Sequence, residues 1–316
     1  MRGLLMMAAA VGALLTGPAA AQNYPAQPVR MVVGFAPGGG MDTIARLVSD
    51  KLAAPLGQQV VVDNRPGAGG TLAAAYVANE RADGYTIILT ETSALIGPVV
   101  YGNVGYDPIE SFVPVANLTQ APLALVAHPS FAANSMAEFI ELAKSKPGEF
   151  FYATPGKATT QHLAVEMLEK AAGLDLQDAP FQGGAPSVTA VVSGEVPLAI
   201  VSLSAAVAQA QGGKIKILGI TTAERIPDFP DIPTIGETVK GFSALPSNFL
   251  AAPAKTPPEA LAALSKAVET AMQDKSLTDA LAKQGLLPVY KNGEALKAEI
   301  PEQTQIWTDA YKAVGQ

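Results

Sequence analysis

Short apolar runs alternate along this chain with stretches in which apolar side chains return every three or four positions. The runs at 30–35, 60–63, 85–89, 123–128, 150–154, 198–203 and 215–221 are mostly continuous, as strands covered on both faces are. Helical spacing covers 43–54, 72–80, 135–145, 160–172, 185–193, 204–210, 257–272 and 276–285. Strand alternating with helix predicts right-handed βαβ units on mainly parallel sheets, an α/β fold. No short-period repeat or low-complexity tract breaks the pattern.

Proline-rich crossings near 107–122 and 227–254 bracket a self-contained set of such units. The expected organisation is a first lobe of 22–121 plus 246–316 and a second lobe of 122–245. The C-terminal helices are expected to bring no strands and to pack back on the first lobe. A chain that leaves one lobe, builds another and returns makes two crossings, the architecture of a hinged binder with its cleft between the lobes.

The N-terminus bears on compartment. Arg2 is the only charge before the apolar run 4–15, and Pro18-Ala19-Ala20-Ala21 offers a small-x-small cleavage pattern. A signal peptide over 1–21 is expected, cut before Gln22. That run is too short to span a bilayer, and no later segment has eighteen uninterrupted apolar residues. There is no cysteine, which excludes disulfides, thiol nucleophiles, thiolate metal sites and an N-terminal lipid anchor on Cys. An exported chain without that anchor suits a Gram-negative periplasm. Losing 1–21 removes one base and no acid, so the mature chain is more acidic than the full chain's −7. That balance argues against nucleic acid and anionic membrane surfaces.

The candidate chemistry sits in glycine turns. A strand ending at Phe35 runs into Pro37-Gly38-Gly39-Gly40, and Ile44, Leu47, Val48 and Leu52 then take helical spacing. Glycines let backbone N–H groups approach a ligand, and the helix start adds its positive dipole end, so the turn is built for an anion. A second turn has the same logic: a strand to Thr154, then Pro155-Gly156-Lys157-Ala158-Thr159-Thr160, then a helix. Thr159 or Thr160 is its expected N-cap. One such turn alone is more often an ordinary connection; two, one per lobe, set that reading evenly against a shared anion clamp. A third turn at Gly183-Gly184 also precedes a helix, with plain helix-start chemistry at least as good an account.

Other motifs fail. Gly156-Lys157 lacks the first glycine of a P-loop, where Phe151 stands, and Ala158 replaces its Ser or Thr. Gly38-x-Gly40 with Asp63 lacks the third dinucleotide glycine, where Thr43 stands. There is no G-x-S-x-G, and the two histidines, His128 and His162, read as a lobe-edge residue and a structural hydrogen-bonder. No metal site, cofactor or catalytic residue is expected. Asp42 either caps the helix and pairs with Arg46, which is favoured, or faces the ligand. Arg65 is as readily a loop brace as a carboxylate clamp.

At this point the chain resembles a known family. The matching blocks are Tyr24-Pro25-x-x-Pro28-Val29-Arg30, Gly38-Gly39-x-x-Asp42-x-x-Ala45-Arg46, and Leu56-Gly57-Gln58-x-Val60-Val61-Val62-x-Asn64-Arg65-Pro66-Gly67-Ala68-Gly69-Gly70. Asp83-Gly84-Tyr85-Thr86, Tyr152-Ala153, Gly156, Thr159-x-Gln161-His162-Leu163, Pro233-Thr234 and Leu250-Ala251-Ala252-Pro253-Ala254 continue the match over the mature chain. It is similar to the Bug, or TctC-like, extracytoplasmic binding proteins of tripartite tricarboxylate transporters.

The resemblance implies a two-lobe periplasmic-binding-protein fold, a Venus flytrap of type II-like form. It implies a monomer that catches a small organic anion, a di- or tricarboxylate, and presents it to a membrane permease pair. The family's binding loops fall on 35–42 and 154–160, where carboxylates are held largely by backbone N–H groups and water. The expected ligand-binding residues are thus Phe35, Pro37, Gly38, Gly39, Gly40, Met41 and Asp42 in one lobe, with Ser93. In the other they are Thr154, Gly156, Lys157, Ala158, Thr159, Thr160 and His162, with Gly183 and Ser202. Met41, Pro155, Lys157, Gln182, Glu91 and Ser93 depart from the family's usual pattern, which bears on the ligand and leaves the fold alone. The competing class is an exported hydrolase of a small carboxylate ester or amide, using His162; a sensor lobe would differ only in its partner.

Overall fold

In the computed structural model, residues 24–38, 40–157, 159–181 and 183–314 are described. The expected leader, Gly39, Ala158 and Gln182 lie outside them. The first stretch holds β1 (Val29–Val33), α1 (Gly40–Leu56), β2 (Val60–Asn64), α2 (Thr71–Ala78), β3 (Thr86–Glu91), α3 (Ser93–Tyr101) and β4 (Phe112–Gln120). The middle holds β5 (Leu123–Ala127), α4 (Met136–Ser145), β6 (Phe151–Thr154), α5 (Thr160–Ala172) and β7 (Gln177–Pro180). It continues with α6 (Gly184–Ser193), β8 (Leu198–Ser202), α7 (Leu203–Gln211), β9 (Lys216–Ile220) and α8 (Ile235–Thr238). The chain closes with β10 (Ser247–Pro253), α9 (Pro258–Gln273), α10 (Lys275–Lys283), β11 (Leu287–Asn292) and α11 (Gly293–Val314).

Two sheets form, in the orders β11-β4-β10-β3-β1-β2 and β7-β6-β8-β5-β9. Each is mixed, not mainly parallel. β1 pairs parallel with β2 and β3, but β10 lies antiparallel between β3 and β4. In the second sheet β6 pairs parallel with β7 and β8, while β5 runs antiparallel between β8 and β9. The reason is the crossing: β5 arrives from the first sheet and β10 from the second, and each inserts against its neighbours' direction. The crossing strands are also tied to one another, since the Ala121 amide donates to Pro246 O at 2.8 Å.

Both faces of both sheets are covered, which is why the strands read as continuous apolar runs. Val29, Met31, Val33, Ile87 and Leu89 bury against Ile44, Val48, Leu52 of α1 and Leu264, Val268 of α9. Val32, Ile88 and Phe249 meet Ala73, Val77 of α2 on the opposite face. The second sheet packs Leu125, Tyr152 and Leu198 on Phe139 and Leu163, with Ala153, Ala199 and Val201 against Val191 and Leu203 behind.

The C-terminal stretch departs from expectation in two ways. It does bring strands, β10 and β11, into the first sheet. Its last helix also serves both lobes: Leu296 and Ile300 join the core around Val32 and Ile88, whereas Trp307 and Ala310 join the core around Tyr152 and Leu163. Residues 246–316 are expected in the first lobe, yet the end of α11 packs on the second. Among the described residues no helix is long and apolar enough to cross a membrane.

Candidate functional site

A cleft of about 720 Å³ opens between the two sheets. On the first side, β1 ends at Val33 and the chain turns through Gly34–Ala36 before α1. Gly34 is required by contact alone: a Cβ there would stand 2.5 Å from Gly70 Cα, so the loops after β1 and β2 touch backbone to backbone. Asn64 Nδ2 donates to Phe35 O at 3.0 Å and steadies the turn. Asp42, buried in the first turn of α1, accepts at Oδ2 from the Gly38 amide and from Arg46 Nε, each at 2.9 Å. The Arg46 hydrogen bond holds the Asp42 carboxyl below the usual carboxylate range, the Gly38 amide adding to it against the cost of burial. Asp42 is a brace for the glycine turn and does not line the cleft.

The second side repeats the plan with side-chain caps. Thr159 caps α5, accepting from the His162 amide at 3.4 Å and donating to Gly156 O at 2.8 Å. Ser202 caps α7 and is exposed to the cleft. The Gly183 amide donates to Pro155 O at 3.2 Å, which ties the start of α6 to the loop before α5. Gly40 and Met41, Thr159–Gln161, Gly183 and Gly184, and Ser202 and Ser204 all line the cleft. Four helix N-termini, those of α1, α5, α6 and α7, therefore converge on one space. Each brings first-turn N–H groups that have no partner within their own helix and a positive dipole end.

Among the described lining residues none is basic, and one, Glu91, is ionisable. The site thus offers an anion oriented dipoles in place of counter-ions. Glu91 ends β3 inside the cleft, where burial pushes its carboxyl up to about 7, Ser93 Oγ at 3.0 Å counteracting in part.

A family model described as the tripartite tricarboxylate transporter family receptor matches residues 44–315. The chain belongs to this receptor family. A UPF0065 protein of Bordetella bronchiseptica is 36% identical over 274 residues, 86% of this receptor and 81% of that protein. The solved structure of the periplasmic binding protein BugD has a TM-score of 0.83 at 32% identity, covering 92% of the receptor and 99% of that chain. R. palustris Rpa4515, solved with adipate, gives 0.84 at 32% identity, covering 92% and 98%. The receptor is a two-lobe solute-binding protein and not an enzyme.

The remaining expected site residues fall in distinct places. Phe35, Gly40, Met41, Thr159, Thr160, Gly183 and Ser202 line the cleft, while Pro37 and Gly38 lie exposed at its rim loop. Thr154 is buried beneath the second loop and donates to Asp178 Oδ1 at 2.8 Å; Gly156 follows it in the turn. Lys157 is exposed, off the lining. His162 is buried behind the site, its Nε2 3.5 Å from Glu166 and 3.8 Å from Asp178. Burial pushes its pKa down despite those carboxylates, with Lys157 adding in the same direction. Ser93 is buried and braces, its Oγ reaching Gly69 O at 2.9 Å. Among the described residues no group of three or more His, Asp or Glu is placed to hold a metal ion. Asn248, Ser204 and Gly285 line the cleft without having been expected there. Asn248 leaves a signal, a polar residue at the head of the apolar run 249–252; the other two leave none.

Proposed function

We propose that this receptor captures a small organic carboxylate between its lobes and hands it to a membrane permease pair. It does so as a monomer in the periplasm, once residues 1–21 are removed ahead of Gln22. The first lobe is formed by 22–121 with most of 246–316 and the second by 122–245, hinged at the crossings. The ligand carboxylate sits between the loops at 35–42 and 154–160. The observation that carries this reading is the convergence of four helix N-termini on a cleft whose described lining has no basic side chain. The adipate held by Rpa4515 supports the same ligand class.

The test is a thermal-shift panel of mono-, di- and tricarboxylates, neutral sugars and amines on protein lacking residues 1–21. A ligand that binds only the folded state raises the melting temperature by mass action, about 2.7 kcal/mol at a hundredfold excess over Kd. Acids should shift the transition, and be recovered unchanged. Shifts from sugars or amines with none from acids would defeat the proposal. Mass spectrometry of periplasmic material with an intact Met1 start would defeat its export step.

A further inference from the structure

Glu91 on β3 and Asn248 on β10 stand directly opposite each other in the register of the first sheet, so their side chains share a face. Both line the cleft. Their hydrogen-bonding accounts are short of donors. Asn248 is 1% exposed; its Nδ2 donates to Thr119 Oγ1 at 2.9 Å, and its Oδ1 has no partner. Glu91 Oε1 shares the single hydroxyl proton of Ser93 with Gly69 O, since Ser93 Oγ lies 3.0 Å from one and 2.9 Å from the other. Around them Gly34, the 67–69 loop and Pro246 supply no charge, and no other described residue of the lining is titratable. Asn248 Oδ1 is thus a buried acceptor without a donor, which is costly, and the half-buried Glu91 carboxylate beside it opens onto the cleft with only a shared hydroxyl proton.

We infer that the Glu91–Asn248 wall receives a cationic hydrogen-bond donor of the ligand, so that this receptor takes a small amino-carboxylate in preference to a dicarboxylate of the same length. This rests on the carboxylate reading above. The ligand's carboxylate lies at the helix N-termini and its ammonium at Glu91. A second carboxylate would instead meet a wall of acceptors. An ammonium also supplies the counter-charge that Glu91 lacks, which fits a carboxyl raised by burial alone.

Calorimetry on protein lacking residues 1–21 decides it with matched sets of equal chain length. The amino acids are alanine, β-alanine, γ-aminobutyrate and ε-aminohexanoate. The diacids are malonate, succinate and adipate, and the monoacids propanoate, butanoate and hexanoate. The best amino acid should bind at least about tenfold tighter than its matched monoacid and diacid, the range of one charge-assisted hydrogen bond. Glu91→Gln should remove that advantage and improve the diacid relative to the monoacid. Diacids binding best to the unaltered protein would overturn the inference, whatever the variant does. So would a Glu91→Gln loss shared equally by all three classes. Binding of monoacids and diacids with no gain for amino acids overturns this inference and leaves the carboxylate reading standing; binding of no acid of any class overturns both.

Discussion

The Asp42 carboxylate accepts the Gly38 amide at 2.9 Å, so the glycine turn is held shut by a side chain from the helix that follows it. The same oxygen pairs with Arg46 one turn on, and Asp42 is 3% exposed. Asp42→Ala should cost about 0.5–2 kcal/mol, the range of a lost helix-start acceptor. Carboxylate affinity should fall with it, because the turn presents the α1 N-terminus. The lowered Asp42 pKa fixes the sign with pH: its stabilisation is present above the ordinary value of 3.8 and is lost as pH falls through the folded value. Urea unfolding at acid and neutral pH checks this; an Asp42→Ala deficit as large in acid as at neutrality would refute it.

Glu169 gives the opposite slope. Burial first, then the nearby Glu166, Asp175 and Asp178 carboxylates, push it up to about 7, and the Leu176 amide only partly offsets them. The folded protein therefore holds a proton that the unfolded chain releases near 4.5. Its contribution is full below that value and is lost as pH rises through about 7. Glu169→Gln mimics the neutral acid, so it should match the parent in acid and exceed it above neutrality. Denaturation midpoints across that range measure the difference; parallel curves would show that Glu169 is not protonated in the fold.

Trp307 links the last helix to the second lobe. It is 2% exposed, in the same core as Tyr152 and Leu163, while Leu296 and Ile300 of that helix sit in the first lobe's core. Trp307→Ala should cost about 3–5 kcal/mol, as large-to-small core changes do. Trp307 is the chain's one tryptophan, so its emission reports on the lobe junction and should change when ligand closes the cleft. A cost under about 1 kcal/mol would mean that the helix end is not seated.

Lys157 departs from the family's usual residue but lies off the cleft lining. Lys157→Ala should leave diacid and monoacid affinities within about twofold of the parent, since an exposed lysine contributes little to a site it does not touch. Calorimetry showing a tenfold loss for diacids alone would place its ammonium on the ligand.

What was legible follows from how each element is buried. Most of the seven strands read from apolar runs are covered on both faces, and their run length is the signal; β2, at the edge of its sheet, keeps the run although Val61 is exposed. β4 was hidden by Pro114, which is tolerated because a register shift against β10 lies beside it. β10 looked like part of a proline-rich crossing because it begins after Pro246 and ends on Pro253, although six of its seven residues are buried. β7 and β11 are only partly buried, so their polar residues blur the period. α3 and α11 carry Pro98 and Pro301 inside otherwise helical stretches. At the site, Gly40 and Thr159 announce themselves because turn chemistry is local. Asn248 and Gly285 arrive by the returning chain, and no local pattern says which cleft a returning strand will border.

Gly285 marks where the lobes meet. It follows α10 on the first lobe with φ +70°, and a Cβ there would lie 2.7 Å from the Ser204 amide nitrogen in the first turn of α7 on the second. Both residues line the cleft, so this is an approach of one lobe's backbone to the other's. Hinge closure rotates lobes about a few connecting residues, here the paired segments at Ala121 and Pro246, and it ends where such surfaces touch. Gly285→Val places a branched side chain in that contact and should hold the lobes apart. Small-angle scattering of the parent should show a smaller radius of gyration with saturating ligand. The variant should keep its unliganded radius and bind at least about tenfold more weakly, because closure completes the ring of helix N-termini around the anion. If the variant contracts as the parent does and binds equally well, the Gly285–Ser204 approach is not part of the closed state.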